Sequence, residues 1–257
     1  LRYSLGEQCG LLTQALQGFD HPQAHREFQW DVAQVLWTAE HLDLFEGREK
    51  EIISTLLDRF RNALPHYEKL RKGIVHNDAN DNNLIVSEAL VHPQVVAAID
   101  YGDAVYTQVI NDLAIACTYA IMGQNDPLAA ALPIVRGYHS QFPLQEEELK
   151  HLYTTIAMRL TITVTKSAIN KQAEPDNSDL LMSEKPAWDV LHRWIEIWPE
   201  CAEYSFRNAC GYAAHPAHPK FETWCSGIQW RLTDLYPTIE KKKAQLLDLS
   251  VGSKWLG

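Results

Sequence analysis

Hydrophobic positions recur at helical spacing from the N-terminus to Leu64. Leu11, Leu12, Ala15 and Leu16 mark one helix, opened by Ser4-Leu5-Gly6-Glu7, which has the form of a capping box, and stopped near Gly18. Beyond a turn at Asp20-His21-Pro22, the positions Phe28, Trp30, Val32, Leu36 and Trp37 predict an amphipathic helix over 27–44. Ile52, Ile53, Leu56, Leu57 and Phe60 predict another over 48–64, closed by Pro65. The period then shortens. Gly73–Val75, Leu84–Val86 and Val95–Ile99 are short apolar, β-branched runs that read as buried strands joined by polar links. Ile115, Ala116, Cys117 and Ala120 restart a helix opened by Asp112-Leu113-Ala114, and further helices are predicted over 127–142, 146–171 and 183–198. Thr161, Thr163 and Thr165 lower the propensity of the long one without excluding it. The fold class is α+β, mostly α-helical, with a few short strands around one polar loop.

That loop carries the chemistry. Between the first two strands the chain runs His76-Asn77-Asp78-Ala79-Asn80-Asp81-Asn82-Asn83, longer than a tight hairpin link and without the Gly such a link uses. Asn and Asp also serve as turns and caps, and a lone His-x-Asp would carry no information. Here the pattern is His-x-Asp-x-x-x-x-Asn, and the third strand ends in Asp100-Tyr101-Gly102-Asp103. Phosphoryl transfer needs a carboxylate to hold and deprotonate the attacking hydroxyl, and hard oxygen ligands for the Mg²⁺ that rides on nucleotide phosphates. Asp78 fits the first need, Asn83 and Asp100 the second.

On these residues the chain resembles the aminoglycoside phosphotransferase and choline kinase branch of the protein-kinase-like fold. The Arg159–Trp188 stretch, with Glu174-Pro175-Asp176-Asn177 and Lys185-Pro186-Ala187-Trp188, is similar to the hydroxylysine kinase branch. The resemblance implies a small-molecule kinase that moves the γ-phosphoryl of ATP, with Mg²⁺, to the hydroxyl of an amine-bearing substrate. It implies that Asp78 acts on the acceptor hydroxyl, that Asn83 and Asp100 hold the metal, and that His76 packs beneath the metal Asp and holds the loop. Asp112 then buttresses the loop through backbone hydrogen bonds, and Asp103 either helps the metal or faces the acceptor ammonium. Arg159 is a candidate for a substrate carboxylate, and Asp31, Glu174 or Asp176 for its ammonium.

A complete kinase of this kind also has an N-terminal lobe with a phosphate-covering loop and a strand Lys paired to a helix Glu. The segment before Gly73 holds no Gly-rich loop and no apolar-strand Lys, so the chain reads as a C-terminal lobe over residues 1–257. It does not begin with Met, and a linked N-terminal lobe or, as in some members of the branch, an aminotransferase-like neighbour is expected beside it.

Composition narrows the classes. A chain of 257 residues, 46% hydrophobic and 22% charged, can bury a sizeable core. No run approaches the roughly 18 apolar residues of a membrane-spanning helix, and the opening LRYSLGEQCG lacks a signal-peptide pattern. The formal net charge of -10, with Lys241-Lys242-Lys243 as the one basic cluster, argues against a nucleic-acid partner. Five cysteines without a Cys-x-x-Cys pair point to a reduced, cytoplasmic compartment. His215-Pro216-Ala217-His218 reads as a loop rather than a zinc site, and the tryptophans as packing residues. Two rival functions stay open: a kinase-like binding module without turnover, and a phosphohydrolase built on Asp78, Asp81, Asp100 and Asp103 around two metal ions.

Overall fold

The computed structural model describes residues 1–174, 183–215, 217–220, 223–224 and 226–227. Asp176 and most of the 173–181 break, Pro216, Cys225, Trp230, the lysines at 241–243 and the tail from 246 lie outside the described residues.

Helix α1 (Arg2–Ala15) begins earlier than the capping pattern predicts. Leu1 is its N-cap without a side-chain cap bond. Ser4 instead sits inside the first turn, donates to Leu1 O at 2.8 Å and accepts from the Val95 backbone N–H at 3.0 Å. The buried face also differs from the predicted one. Leu11 is 41% exposed, whereas Ser4, Leu5, Gly6, Cys9, Gly10 and Thr13 are buried. Helix α4 (Pro127–Gln141) lies across that small-residue face. A Cβ on Gly6 would run into the Ile134 carbonyl, and one on Gly137 into the Tyr3 carbonyl, so the two backbones meet where only glycine fits.

The 32–44 segment is wound in 3₁₀ turns rather than as the predicted α-helix. Asp31 caps it by accepting from Ala33 N at 3.0 Å. Helix α2 (Gly47–Tyr67) runs through Pro65 instead of stopping there. A proline this near the C-terminus removes one ladder bond, opposite the exposed Arg61, and the last turn tolerates that loss.

Strands β1 (Lys72–Val75), β2 (Leu84–Val86), β3 (Val95–Ala98) and β4 (Val105–Gln108) form two antiparallel pairs, one nested inside the other. The outer pair joins β1 to β4 with Val75 opposite Val105, and the inner pair joins β2 to β3 with Leu84 opposite Ala98. The two links from outer to inner strands, 76–83 and 99–104, therefore emerge at the same end and lie side by side. Strand β4 is a finding the hydrophobic pattern does not predict, because Val105-Tyr106-Thr107-Gln108 runs on into helix α3 (Ile110–Ala120) with only Val109 between. The inner hairpin is not buried as predicted: Ile85, Val86, Val96 and Ile99 are 43–49% exposed, since a two-stranded sheet packs through one face.

Helix α5 (Glu146–Ala173) is the axis of the molecule, touching α2, α3, the 32–44 segment, α6 (Glu184–Trp194) and α7 (Pro199–Ala209). Residues 151–165 are buried on every side rather than along one stripe. Its threonines are accommodated because Thr161, Thr163 and Thr165 donate to the carbonyls four residues back, at 2.8 to 3.0 Å. At its N-terminus the fully buried Glu148 is held bidentately by Arg71, at 2.8 and 2.6 Å. Trp188 and Trp194 pack in the core, whereas Trp198 and Trp224 are exposed. Among the described residues no helix is long and apolar enough to cross a membrane. His215 turns the chain locally, accepting from Ala217 N at 3.0 Å.

Candidate active site

His76 leaves the end of β1 almost fully buried. Its Nδ1 faces the Asp78 backbone N–H at 3.3 Å and so acts as acceptor, which places the ring proton on Nε2, 2.9 Å from the Ile99 carbonyl. The imidazole thereby straps the 76–83 loop to the strand end that carries Asp100. Tyr101 packs edge-on against it at 4.9 Å.

Asn77, at φ +64°, turns the loop, and its N–H donates to the Asp112 carboxylate at 3.0 Å. Asp112 stands in the first turn of α3 and is buried. Burial pushes its carboxyl above the usual range, against the pull of the Asn77 N–H and of His76.

Asp78 is gripped at both oxygens. Oδ2 accepts from the side-chain amides of Asn80 and Asn83, each at 2.8 Å, and Oδ1 accepts from Arg159 at 3.0 Å. The Asn83 amide also donates to the Asp78 carbonyl at 3.0 Å. Five-residue spacing closes this small ring because Asp81–Asn83 make a single 3₁₀ turn, capped by Asn80, which returns residue 83 beneath residue 78.

Asp100 stands exposed on the neighbouring loop in the left-handed region, φ +62°, with Oδ1 accepting from Gly102 N at 3.1 Å. The two loops are joined through the backbone of Ile99, whose N–H donates to Asn83 O at 2.9 Å while its carbonyl meets His76. Arg26 braces the second loop, donating to Gly102 O at 2.7 Å and Ala104 O at 3.2 Å with its guanidinium 4.4 Å from the Phe28 ring centre. Asp103, half-buried, has its carboxyl raised by burial and then by the negative charge of Asp78, with Asp100 adding to the effect. Arg159 and Arg26 pull the other way.

The donor set suits a hard divalent cation. The side-chain oxygen of Asn83 lies outside its amide contacts to Asp78, and the Asp100 carboxylate is exposed. This is an Asn–Asp pair rather than a carboxylate cluster. Among the described residues no three His, Cys, Asp or Glu side chains are grouped to hold an ion.

Not every predicted position lies where expected. The Arg159 guanidinium is 1% exposed and engaged by Asp78, the Trp30 carbonyl and the Tyr119 hydroxyl, so it is not free for a substrate carboxylate. Asp31 is buried, its carboxylate accepting from Ala33 N, Gln34, Thr107 and Asn111. Glu174 lies exposed beyond the C-terminal end of α5. Asn80, Arg26, Trp30 and Tyr119 join the site without a sequence signal beyond the Asn-rich loop itself.

A loop carboxylate locked to an amide five residues on, set beside an Asp-x-Gly strand end by nested hairpins, is the arrangement of a kinase-like phosphotransferase fold. The model of the phosphotransferase enzyme family (APH) matches residues 1–149, and the chain belongs to that family. It is 27% identical over 214 residues to the hydroxylysine kinase of Mus musculus, covering 78% of this chain and 57% of the relative. It is also 27% identical over 226 residues to that of Bos taurus, covering 79% and 59%. The chain thus spans less than two thirds of the curated relatives it matches. In fold it is similar to a microcompartment-associated aminopropanol kinase, with a TM-score of 0.58 at 17% identity over 76% of this chain and 62% of the other. A choline/ethanolamine kinase family protein from Mesorhizobium loti matches with a TM-score of 0.56 at 14% identity, over 82% and 68%.

Proposed function

We propose that this chain is the catalytic lobe of a small-molecule kinase that transfers the γ-phosphoryl group of ATP to the hydroxyl of an amine-bearing acceptor such as a hydroxylysine-like amino acid. The carrying observation is the Asp78–Asn83 ring, strapped by His76 to the strand end that bears Asp100. The hydroxylysine kinases among the curated relatives support the acceptor class.

In this reading Asp78 receives the acceptor hydroxyl in a hydrogen bond and takes its proton as the new P–O bond forms. The Asn83 carbonyl and the Asp100 carboxylate hold Mg²⁺, which when bound neutralises charge on the phosphates. His76 holds the two loops in register and Asp112 anchors the first of them, so neither touches the reacting atoms. Asp103 lies at the edge of the site, where its charge suits the metal or the acceptor ammonium. A linked N-terminal lobe covers the nucleotide phosphates, and the protein works in the cytoplasm on a small amino alcohol, without nucleic-acid or membrane partners.

The test is phosphorylation of hydroxylysine and related amino alcohols by the full-length polypeptide that carries this chain, with Mg²⁺-ATP titrated calorimetrically in parallel. Asp78→Asn is expected to abolish transfer while leaving nucleotide binding within about twofold, since it removes the base and keeps the shape. Full activity in Asp78→Asn would sink this mechanism.

A further inference from the structure

Arg159 projects from the middle of α5 and reaches Asp78, 81 residues earlier in the chain, at 3.0 Å. Its guanidinium is fixed on several sides. Nη1 donates to the Trp30 carbonyl at 2.9 Å and Nη2 to the Tyr119 hydroxyl at 3.0 Å, while the ring centres of Trp30 and Tyr119 lie 4.7 and 5.6 Å from its central carbon. Stability gives no reason for this arrangement. A buried ion pair commonly does no better than well-packed apolar side chains of similar volume, and the buried Arg159 Nε has no hydrogen-bond partner among the described residues, which adds a desolvation cost.

What the pair supplies is direction. A carboxylate offers about four acceptor positions, two on each oxygen. Both positions on Asp78 Oδ2 are taken by Asn80 and Asn83, and one on Oδ1 is taken by Arg159. The position left is on Oδ1, beside the guanidinium, and the carboxylate cannot rotate to offer another without breaking all three contacts.

Resting on the phosphotransferase reading of Asp78, we propose that Arg159 is a positioning residue: it fixes which lone pair of Asp78 receives the acceptor hydroxyl, and Tyr119 acts through Arg159 by holding its fork in plane. A lysine cannot reproduce this, because an ammonium is a point charge without the planar fork that spans Asp78, Tyr119 and Trp30 at once.

The experiment compares parent, Arg159→Lys, Tyr119→Phe, the double variant and Asp78→Asn in the full-length polypeptide, with hydroxylysine as acceptor and Mg²⁺-ATP binding measured by calorimetry. Misplacing Asp78 by a fraction of an ångström is expected to lower kcat about 10–100-fold in Arg159→Lys, with the KM for Mg²⁺-ATP unchanged within about twofold. Tyr119→Phe deletes one oxygen and should fold even if Arg159→Lys does not; its kcat should fall about 3–10-fold. In the Arg159→Lys background the same change should add little, since both act on one contact. If Asp78→Asn abolishes turnover but Tyr119→Phe and Arg159→Lys keep the parental kcat, the positioning role is wrong and the kinase reading stands. Additive losses, or a KM for Mg²⁺-ATP that rises in step with the fall in kcat, equally overturn it as a sign of general loosening. If the parent itself shows no Asp78-dependent turnover, both readings fall together.

Discussion

Asn77 and Asp112 are 35 residues apart, and a single bond of 3.0 Å from the Asn77 N–H to the Asp112 carboxylate ties the polar loop to the first turn of α3. Because the bond uses backbone on one side, the identity of residue 77 matters little to it, whereas that of residue 112 matters a great deal. Around it the polar inventory is unbalanced. Neither side-chain atom of Asn77 nor Asp112 Oδ2 has a hydrogen-bond partner among the described residues.

That imbalance makes Asn77→Gly an informative change. It removes a buried amide without partners and places glycine at φ +64°, where no Cβ is strained, while keeping the N–H to Asp112. The extra entropy of glycine in the unfolded chain opposes the gain. The net is expected between neutral and about 1 kcal/mol stabilising, read as the urea midpoint, with phosphoryl transfer retained. A destabilisation of the size that accompanies a lost buried hydrogen-bond partner, about 2 kcal/mol or more, would mean that the amide is satisfied from beyond the described residues.

Asp112→Asn should separate stability from function along the pH axis. Burial favours the protonated form of Asp112 in the folded protein, so its folded value lies above the unfolded one. The parent therefore keeps its full stability below about pH 4, the ordinary carboxylate range, and loses some as pH rises through the higher folded value. Asparagine carries no charge to desolvate. The stability of Asp112→Asn relative to the parent should climb over that interval and then level off, as read from urea unfolding at a series of pH values. A parent that gained on the variant with rising pH would show that the ionised carboxylate is the stabilised form. Activity above the folded value should fall, because a neutral carbonyl holds the Asn77 N–H more weakly than the ionised carboxylate does.

Gly6→Ala tests the α1–α4 crossing. The added methyl would meet the Ile134 carbonyl and the Tyr138 amide, both backbone, so the helices must part. Overpacking of this kind costs about 1–3 kcal/mol, seen as a lower melting temperature. Gly18→Ala, where nothing stands within 4 Å, serves as the comparison for backbone strain at φ +79° alone.

Arg71→Met removes the partner of Glu148, whose side chain is fully buried at the start of α5. The orphaned carboxylate would keep its bond from the Gln145 N–H at 2.8 Å but lose two charge-assisted ones. Breaking such a pair from one side costs about 3–5 kcal/mol, and Arg71 is partly exposed, which places the expected loss at or below the lower end. Chemical denaturation of the two proteins measures it.

How much of this is legible beforehand depends on whether a contact is local. Asp78 and Asn83 close a ring within one loop, and their spacing announces it. His76 and Asp100 are likewise set by adjacent strand ends, and β1, β2 and β3 lie where the β-branched runs predict, to within a residue. Arg159 is the opposite case. A lone arginine among the apolar residues of a long helix does not disclose whether it meets substrate or protein, and the answer comes from Trp30 and Tyr119, which arrive from other elements. The face of α1 departs from the predicted one for a related reason. Its tightest contact runs through Gly6 and Gly10, and the absence of a side chain leaves no mark in a hydrophobic pattern. Strand β4 is hidden because its pairing with β1, across the whole of the inner hairpin, outweighs the helical pattern it adjoins.

The nesting of the two hairpins leaves the 87–94 turn at the far tip of the inner one, pointing away from residues 78 and 100, with Leu90 99% exposed. Loop closure grows only slowly in cost with length, so this tip is a natural handle: a fluorophore or a peptide tag grafted between Glu88 and Val91 would report on the protein from outside, while the chemistry proceeds undisturbed at the other end of the ribbon.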